Sequence, residues 1–276
     1  MISSKVGFIG GGNMARAIAG GLLRGGMHAT DVALSDPLEA QRERLREELY
    51  GVLVSEDNAT VARQSDVLVF AVKPQILQTV CTDLATVVQS AQPTIVSIAA
   101  GPRVADIDSW LGGGLSVVRV MPNQPALIDQ GISALFANER ADKAARELAE
   151  AIMLAVGKVV WVPKEADIDS VTAVSGTGPA YFYLLIDVMI EAAIRFGLDR
   201  ETARTLAVET ARGATSLAVA ETESMSAMIE RVRSTGGTTT AAFEHLDATD
   251  VRGIFAEAID LARKRAVELG DATNSK

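Results

Sequence analysis

A short strand signal, Lys5 to Ile9, runs directly into Gly10-Gly11-Gly12-Asn13-Met14-Ala15, and this junction constrains the fold more than any other stretch of the chain. The spacing is G-x-G-x-x-A. Between a strand and a helix, the first glycine permits a tight turn and the second lets the backbone approach a pyrophosphate. The small third residue lets the helix lie close on the sheet. Free N–H groups and the dipole at the helix start then favour an anion. The required setting is present. Asn13 to Arg24 places Met14, Ile18, Leu22 and Leu23 near one helical face, and a second strand signal ends at Ser35-Asp36, about twenty residues beyond Ala15.

Strand signals recur at Val32–Leu34, Val52–Val54, Val67–Val72, Thr94–Ile98, Ser116–Val120, Gly131–Phe136 and Lys158–Val162. Helical signals stand between them at Glu39–Glu48, Val61–Ala62, Ile76–Val88 and Ala141–Val156. The run VLVFAV at 67–72 has the character of a strand buried on both faces. Alternating strands and helices, joined by right-handed crossovers, predict an α/β fold with a Rossmann-type doubly wound parallel sheet. After Val162-Pro163-Lys164 the pattern changes. Helical stretches follow at Ala180–Phe196, Arg200–Ala220 and Asp250–Leu269, and a further helix opens at Ala241. We therefore expect two domains, a dinucleotide-binding domain at 1–163 and an all-helical domain at 164–276.

Composition excludes several function classes. With 26 basic and 35 acidic residues the net charge is −9, which argues against a nucleic-acid or anionic-membrane partner. A single cysteine, Cys81, excludes an intramolecular disulfide and fits a reducing, cytoplasmic setting. It reads as a small buried hydrophobe rather than a nucleophile. The two histidines, His28 and His245, have no neighbours at metal-ligand or triad spacing, so no metal site is expected. The N-terminal apolar stretch is too short for a signal peptide. Ala180 to Ile194, broken by Asp187 and Glu191, falls short of the roughly 20 apolar residues of a membrane span.

Three later strands end in small or polar residues at the edge where open α/β sheets bind ligands: Ala71-Val72-Lys73-Pro74, Ala99-Ala100-Gly101 and Met121-Pro122-Asn123. Lys73 reads as an acid catalyst or as an exposed side chain beside a turn. Asn123 reads as a carboxamide ligand or as a plain turn residue. Asp36 either accepts a ribose hydroxyl, which favours NAD, or caps the following helix. Further along, Ser234 to Thr240 combines hydroxyls and two glycines ahead of a helix, the makings of a carboxylate cradle.

Six segments, in order, resemble the pyrroline-5-carboxylate reductase family: FIGGGNMA at 8–15, AVKPQ at 71–75, VSIAAG at 96–101, RVMPNQPA at 119–126, AVSGTGPAYFY at 173–183 and STGGTTTAAF at 234–243. The resemblance spans nearly the whole chain. It implies reduction of the C=N bond of 1-pyrroline-5-carboxylate, a cyclic imino acid, to L-proline, with NADPH as reductant and NADH as the alternative. It also implies that the helical domain makes an intertwined homodimer, with further assembly into decamers. By position, Gly11, Asn13 and Met14 would meet the pyrophosphate. Ser35, Asp36 and Asn58 would lie near the adenosine ribose. Ala71 to Pro74 and Ile98 to Ala100 would line the cofactor crevice, and Met121 and Asn123 would sit near the nicotinamide. Ser234, Gly237, Thr238 and Thr239 would hold the substrate carboxylate from the partner subunit, and Glu165 would make another substrate contact. Thr239 is the catalytic candidate, beside the ring nitrogen.

This chemistry needs no His, Cys or metal, because a protonated cyclic imine accepts hydride once it is aligned. The chain departs from the family pattern at Gln124, at Thr235, and in the run Met228-Ile229-Glu230, where a basic residue is common. Two rivals follow. β-Hydroxyacid dehydrogenases and related imine reductases share the N-terminal pattern, but those dehydrogenases carry a lysine in the helix after the second glycine motif. No lysine stands between Ser175 and Ile194. The other rival is a catalytically silent NADP-binding regulator on the same scaffold.

Overall fold

The computed structural model describes residues 4–271. Eight strands form one sheet: β1 (Val6–Ile9), β2 (Val32–Ser35), β3 (Leu53–Ser55), β4 (Val67–Phe70), β5 (Thr94–Ser97), β6 (Val117–Met121), β7 (Gly131–Ala137) and β8 (Gly157–Trp161). The helices between them are α1 (Asn13–Arg24), α2 (Glu39–Glu48), α3 (Asn58–Arg63), α4 (Pro74–Ala91), α5 (Val104–Trp110) and α6 (Lys143–Leu154). Strand order is β3-β2-β1-β4-β5-β6-β7-β8, so the direction of winding reverses beside β1. That reversal opens a crevice at the carboxyl ends of β1 and β4.

The expected fold class is the one found, with one difference in the sheet. The first six strands are parallel, whereas β7 runs antiparallel to β6 and β8 runs parallel to β7. The cause is connection length. Only residues 122–130 link β6 to β7, and part of that link is a 3₁₀ turn, Gln124–Ile128. A parallel return needs a crossover of a dozen residues or more.

Strand side chains alternate between two cores. Val6, Phe8, Val67 and Val69 meet Ile18 and Leu22 of α1 and Ile152 of α6 on one face. Ile9, Leu68, Phe70 and Ile95 meet Leu77, Cys81 and Leu84 of α4 and Ile107 of α5 on the other. Helix α5 was not anticipated. The short VADIDSW segment lacks a clear period, and its start is fixed by Asp106 accepting from the Arg103 N–H at 3.1 Å.

After the sheet come α7 (Asp167–Val171), a π-helical turn (Thr172–Gly176), α8 (Gly178–Arg195), α9 (Arg200–Ala220), α10 (Met225–Val232), α11 (Thr238–Ala248) and α12 (Val251–Asp271). By packing, the chain forms two compact units. Among the described residues, one holds 4–177 together with 262–271, and the other holds Gly178–Leu261. The packing boundary lies beyond the change in sequence pattern at 163/164 because α7 packs on β6 and β7.

In the helical unit, Gly178 is the only buried residue of α8. Phe182, Tyr183, Leu184, Leu185 and Val188 are each about half exposed. A helix this apolar with so little of it covered needs a partner surface. The helical path from Asp167 to Arg195 is longer than the stretch read from sequence. By length and composition alone, its 29 residues are enough to cross a membrane.

Helix α1 tests the packing of the first unit. An added Cβ at Gly21 would lie 2.5 Å from the Ala155 carbonyl oxygen and 2.8 Å from Val156 Cγ1. Alanine normally favours a helix interior, yet Gly21→Ala is expected to destabilise the protein by about 1–3 kcal/mol through overpacking. Chemical denaturation of the variant against the parent checks the sign.

Candidate active site at the carboxyl edge of the sheet

The glycine turn is held by backbone bonds from both neighbouring strands. Gly10 N–H donates to the Ser35 carbonyl at 2.8 Å, and Ala71 N–H donates to the Ile9 carbonyl at 2.9 Å. Gly10 has φ +96°, and a Cβ there would lie 2.9 Å from the Ala71 carbonyl oxygen, so this position requires glycine. A Cβ at Gly12 would meet nothing within 4 Å. Gly12 is also the N-cap of α1, and no side chain caps the helix. Ala15 is fully buried against the sheet. The first-turn N–H groups of α1 therefore stand under an open approach, with Asn13 exposed and Met14 half-buried beside them. This cradle fits the pyrophosphate of a dinucleotide.

Asp36 holds the turn that leads into α2, whose N-cap is Leu38 with no side-chain cap, and it reaches the glycine turn as well. Its Oδ1 accepts the Leu38 N–H at 2.9 Å, and its Oδ2 accepts the Gly11 N–H at 2.9 Å. Ser35 has no exposed surface, and its hydroxyl donates to the Phe8 carbonyl at 3.3 Å. A ribose contact through the Ser35 side chain is therefore corrected to a structural role. Asn58 opens α3 at the same edge and is half-buried.

The crevice walls are mostly small residues and backbone. Ala71, Val72, Ile98 and Ala100 are half-buried, and Ala99 is buried. Lys73 is the N-cap of α4, with Pro74 as the first helical residue, and its side chain is exposed. That is the turn-residue reading of Lys73.

Asn123 is not a plain turn residue. Its Nδ2 donates to the Ser175 carbonyl at 3.2 Å, and its Oδ1 accepts the Ile132 N–H at 3.0 Å. Its amide thus brackets the π-helical turn against the start of β7. Met121 is half-buried nearby, its Cε packed where a Cβ on Gly176 would lie. π-Helical turns within helices recur at functional sites.

Glu165 is likewise engaged within the chain. Its Oε1 accepts the Val104 N–H at 2.8 Å and pairs with Arg119 at 3.3 Å. These bonds give Glu165 a structural role through Oε1. The pairing belongs to a cluster that the motif search missed. Arg103 donates two parallel bonds to Asp169, at 3.0 and 2.8 Å, and Arg119 Nη2 lies 3.6 Å from Asp169 Oδ1. Burial pulls the Arg119 guanidinium below its ordinary pKa, while Glu165 and Asp169 pull it back up. The available signal was the charge inside SVVRV: an arginine in a strand buried on both faces needs buried carboxylates.

In the helical unit, Gly236 has φ +69°, and the Ser234 carbonyl accepts from the Gly237 N–H at 2.9 Å and the Thr240 hydroxyl at 2.7 Å. Gly237 is the N-cap of α11, and no side chain caps that helix. Ser234 and Thr238 are exposed and Thr239 is half-buried. The loop thus presents first-turn N–H groups and hydroxyls together, as an anion site requires. Just before it, Arg233 lies over the Phe243 ring at 5.2 Å and pairs with Glu230 at 2.9 Å, a cation the sequence reading passed over. Cys81 is buried in the second core, and burial pushes its thiol up to about 12, which leaves it un-ionised and unreactive at neutral pH.

Two family models match the chain. One, described as pyrroline-5-carboxylate reductase dimerisation, covers residues 165–269. The other, described as NADP oxidoreductase, coenzyme F420-dependent, covers residues 5–101. A pyrroline-5-carboxylate reductase of Pseudomonas aeruginosa is 42% identical over 271 residues, 98% of each chain. One from Vibrio alginolyticus is 38% identical over 270 residues, again 98% of each. Among solved structures, a pyrroline-5-carboxylate reductase from Coxiella burnetii has TM-score 0.90 at 38% identity, covering 97% of this chain and 99% of that one. Plasmodium falciparum pyrroline carboxylate reductase with NADP bound has TM-score 0.88 at 26% identity, covering 98% and 99%.

The buried cluster generates a prediction. Asp169→Ala leaves Arg103 and Arg119 short of their shared carboxylate and is expected to destabilise the protein by about 3–5 kcal/mol. A shift of the urea midpoint to lower concentration checks it.

Proposed function

The chain belongs to the pyrroline-5-carboxylate reductase family, and on that premise we propose how its own residues divide the reaction. It is an NAD(P)H-dependent oxidoreductase that reduces the C=N bond of 1-pyrroline-5-carboxylate to L-proline, the last step of proline biosynthesis. It works as a homo-oligomer. The observation that carries the site assignment is the open, uncapped start of α1 above Gly12 at the winding reversal of the sheet.

Gly10, Gly11 and Gly12 shape the turn, and the N–H groups of Asn13 and Met14 hold the pyrophosphate. Asn58 lies by the adenosine ribose. Ala71 to Pro74 and Ile98 to Ala100 form the crevice wall, and Met121 flanks the nicotinamide. When bound, the nicotinamide supplies a hydride to the imine carbon. The protein's own share is alignment. Contributed by the partner subunit, Ser234, Gly237, Thr238 and Thr239 hold the substrate carboxylate through hydroxyls and first-turn N–H groups. The Thr239 hydroxyl meets the ring nitrogen. A hydroxyl is a poor acid, so its part is to orient an already protonated imine.

Domain roles follow the sequence division, with cofactor binding at 1–163 and dimerisation with substrate binding at 164–276. We assign the exposed apolar face of α8 to the dimer interface, with dimers assembling into a decamer. A partner helix face, rather than a lipid bilayer, is the cover proposed for α8. The acidic balance of −9 supports a protein without a nucleic-acid partner, and the single cysteine fits a reducing, cytoplasmic setting.

Purified protein is expected to oxidise NADPH when given pyrroline-5-carboxylate, followed by loss of nicotinamide absorbance. Cofactor binding without turnover of either NADPH or NADH would favour the silent regulator instead. Thr239→Ala is expected to lower kcat/KM by about 10–100-fold, with most of the loss recovered in Thr239→Ser. Steady-state kinetics of the two variants check the hydroxyl's role.

A further inference from the structure

We propose that Asp36 and Gln41 form a positioning clamp on Gly11, so that the carboxylate after β2 serves the phosphate-binding turn and does not choose between NADH and NADPH. The proposal rests on the reading above that this turn holds the cofactor's pyrophosphate.

Both backbone polar groups of Gly11 are held by side chains of the next crossover. Its N–H donates to Asp36 Oδ2 at 2.9 Å, and its carbonyl accepts from Gln41 Nε2. The approach is close: a Cβ on Gly11 would lie 3.4 Å from Asp36 Cβ and 2.5 Å from Leu45 Cδ1. The clamp is itself braced. Arg42 is 7% exposed, and its Nη1 donates to the Asp36 and Pro37 carbonyls at 2.9 Å each. The same guanidinium pairs with Glu39 and with Glu56.

An ionised carboxylate carries only acceptors, and each oxygen here receives one backbone N–H, from Gly11 and from Leu38, which sets the direction of its remaining lone pairs. Swinging it toward a ribose hydroxyl would strand the Gly11 N–H in a buried turn. Its orientation is therefore fixed by the glycine turn. A defect in the clamp loosens the N–H groups that meet the pyrophosphate, which NADH and NADPH share.

The test is calorimetric binding of NADH and of NADPH, without substrate, to the parent and to two variants. Gln41→Ala removes half the clamp without changing charge. It is expected to raise both dissociation constants together, by about tenfold. In kinetics the loss should fall on the cofactor KM rather than on kcat. Asp36→Asn keeps the shape but turns a donor toward one of the two amides, and it too should weaken both cofactors. A carboxylate that reads the ribose predicts the reverse: NADPH tighter and NADH weaker in Asp36→Asn. That result overturns the clamp. Unchanged affinities in both variants, with only a lower melting temperature, overturn it as well. If Asp36→Asn does not fold, Gln41→Ala decides alone. Parent protein that binds neither cofactor overturns the dinucleotide reading itself, a separate outcome from failure of the clamp.

Discussion

Two guanidinium groups and two carboxylates, packed beneath the carboxyl edge of β5 and β6, hold the sheet unit together where its function lies. Arg119 comes from a strand, Arg103 from the loop after another, and Glu165 and Asp169 from the segment that enters the last helices. Each charge is costly to bury alone and tolerable only with its partners. The geometry thus makes three distant stretches of chain interdependent. Because Glu165 also accepts the Val104 N–H, the same cluster fixes the start of α5. One wall of the crevice and the path leading to the π-helical turn share this anchor.

The same division of labour recurs around the crevice. The surfaces open to a ligand are glycine, alanine and backbone N–H, while polar side chains nearby face inward and hold that backbone. Ser35 bonds the Phe8 carbonyl, Asn123 spans Ser175 and Ile132, and Asp36 with Gln41 holds Gly11. A backbone site has no rotamers to order when a ligand arrives, provided the backbone is already fixed. Side chains that look like ligands in a motif are, at several positions here, the fixings.

The helical unit obeys a different constraint. Its helices carry apolar residues on more faces than the chain itself covers, as α8 shows. Surface of that kind is stable only when buried elsewhere. The dimerisation family model matches residues 165–269, a range that includes α8.

The eight strands, most helices and the glycine turn were legible in the sequence because each leaves a local mark. Buried strands are β-branched runs, helices have a period, and Gly10 needs a backbone that only glycine adopts readily. The motif order from FIGGGNMA to STGGTTTAAF likewise identified the family. Tertiary structure alone decided the reversal at β7, which depends on the short span between β6 and β7, and the extension of the sheet unit to Thr177. It also decided what Ser35, Asp36, Asn123 and Glu165 do. A side chain's type says which bonds it can make, but only the fold says which partners stand within 3 Å. Apart from Leu38, two residues after Asp36, the side-chain partners named for those residues lie from 9 to 61 positions away in sequence, beyond the reach of a local pattern.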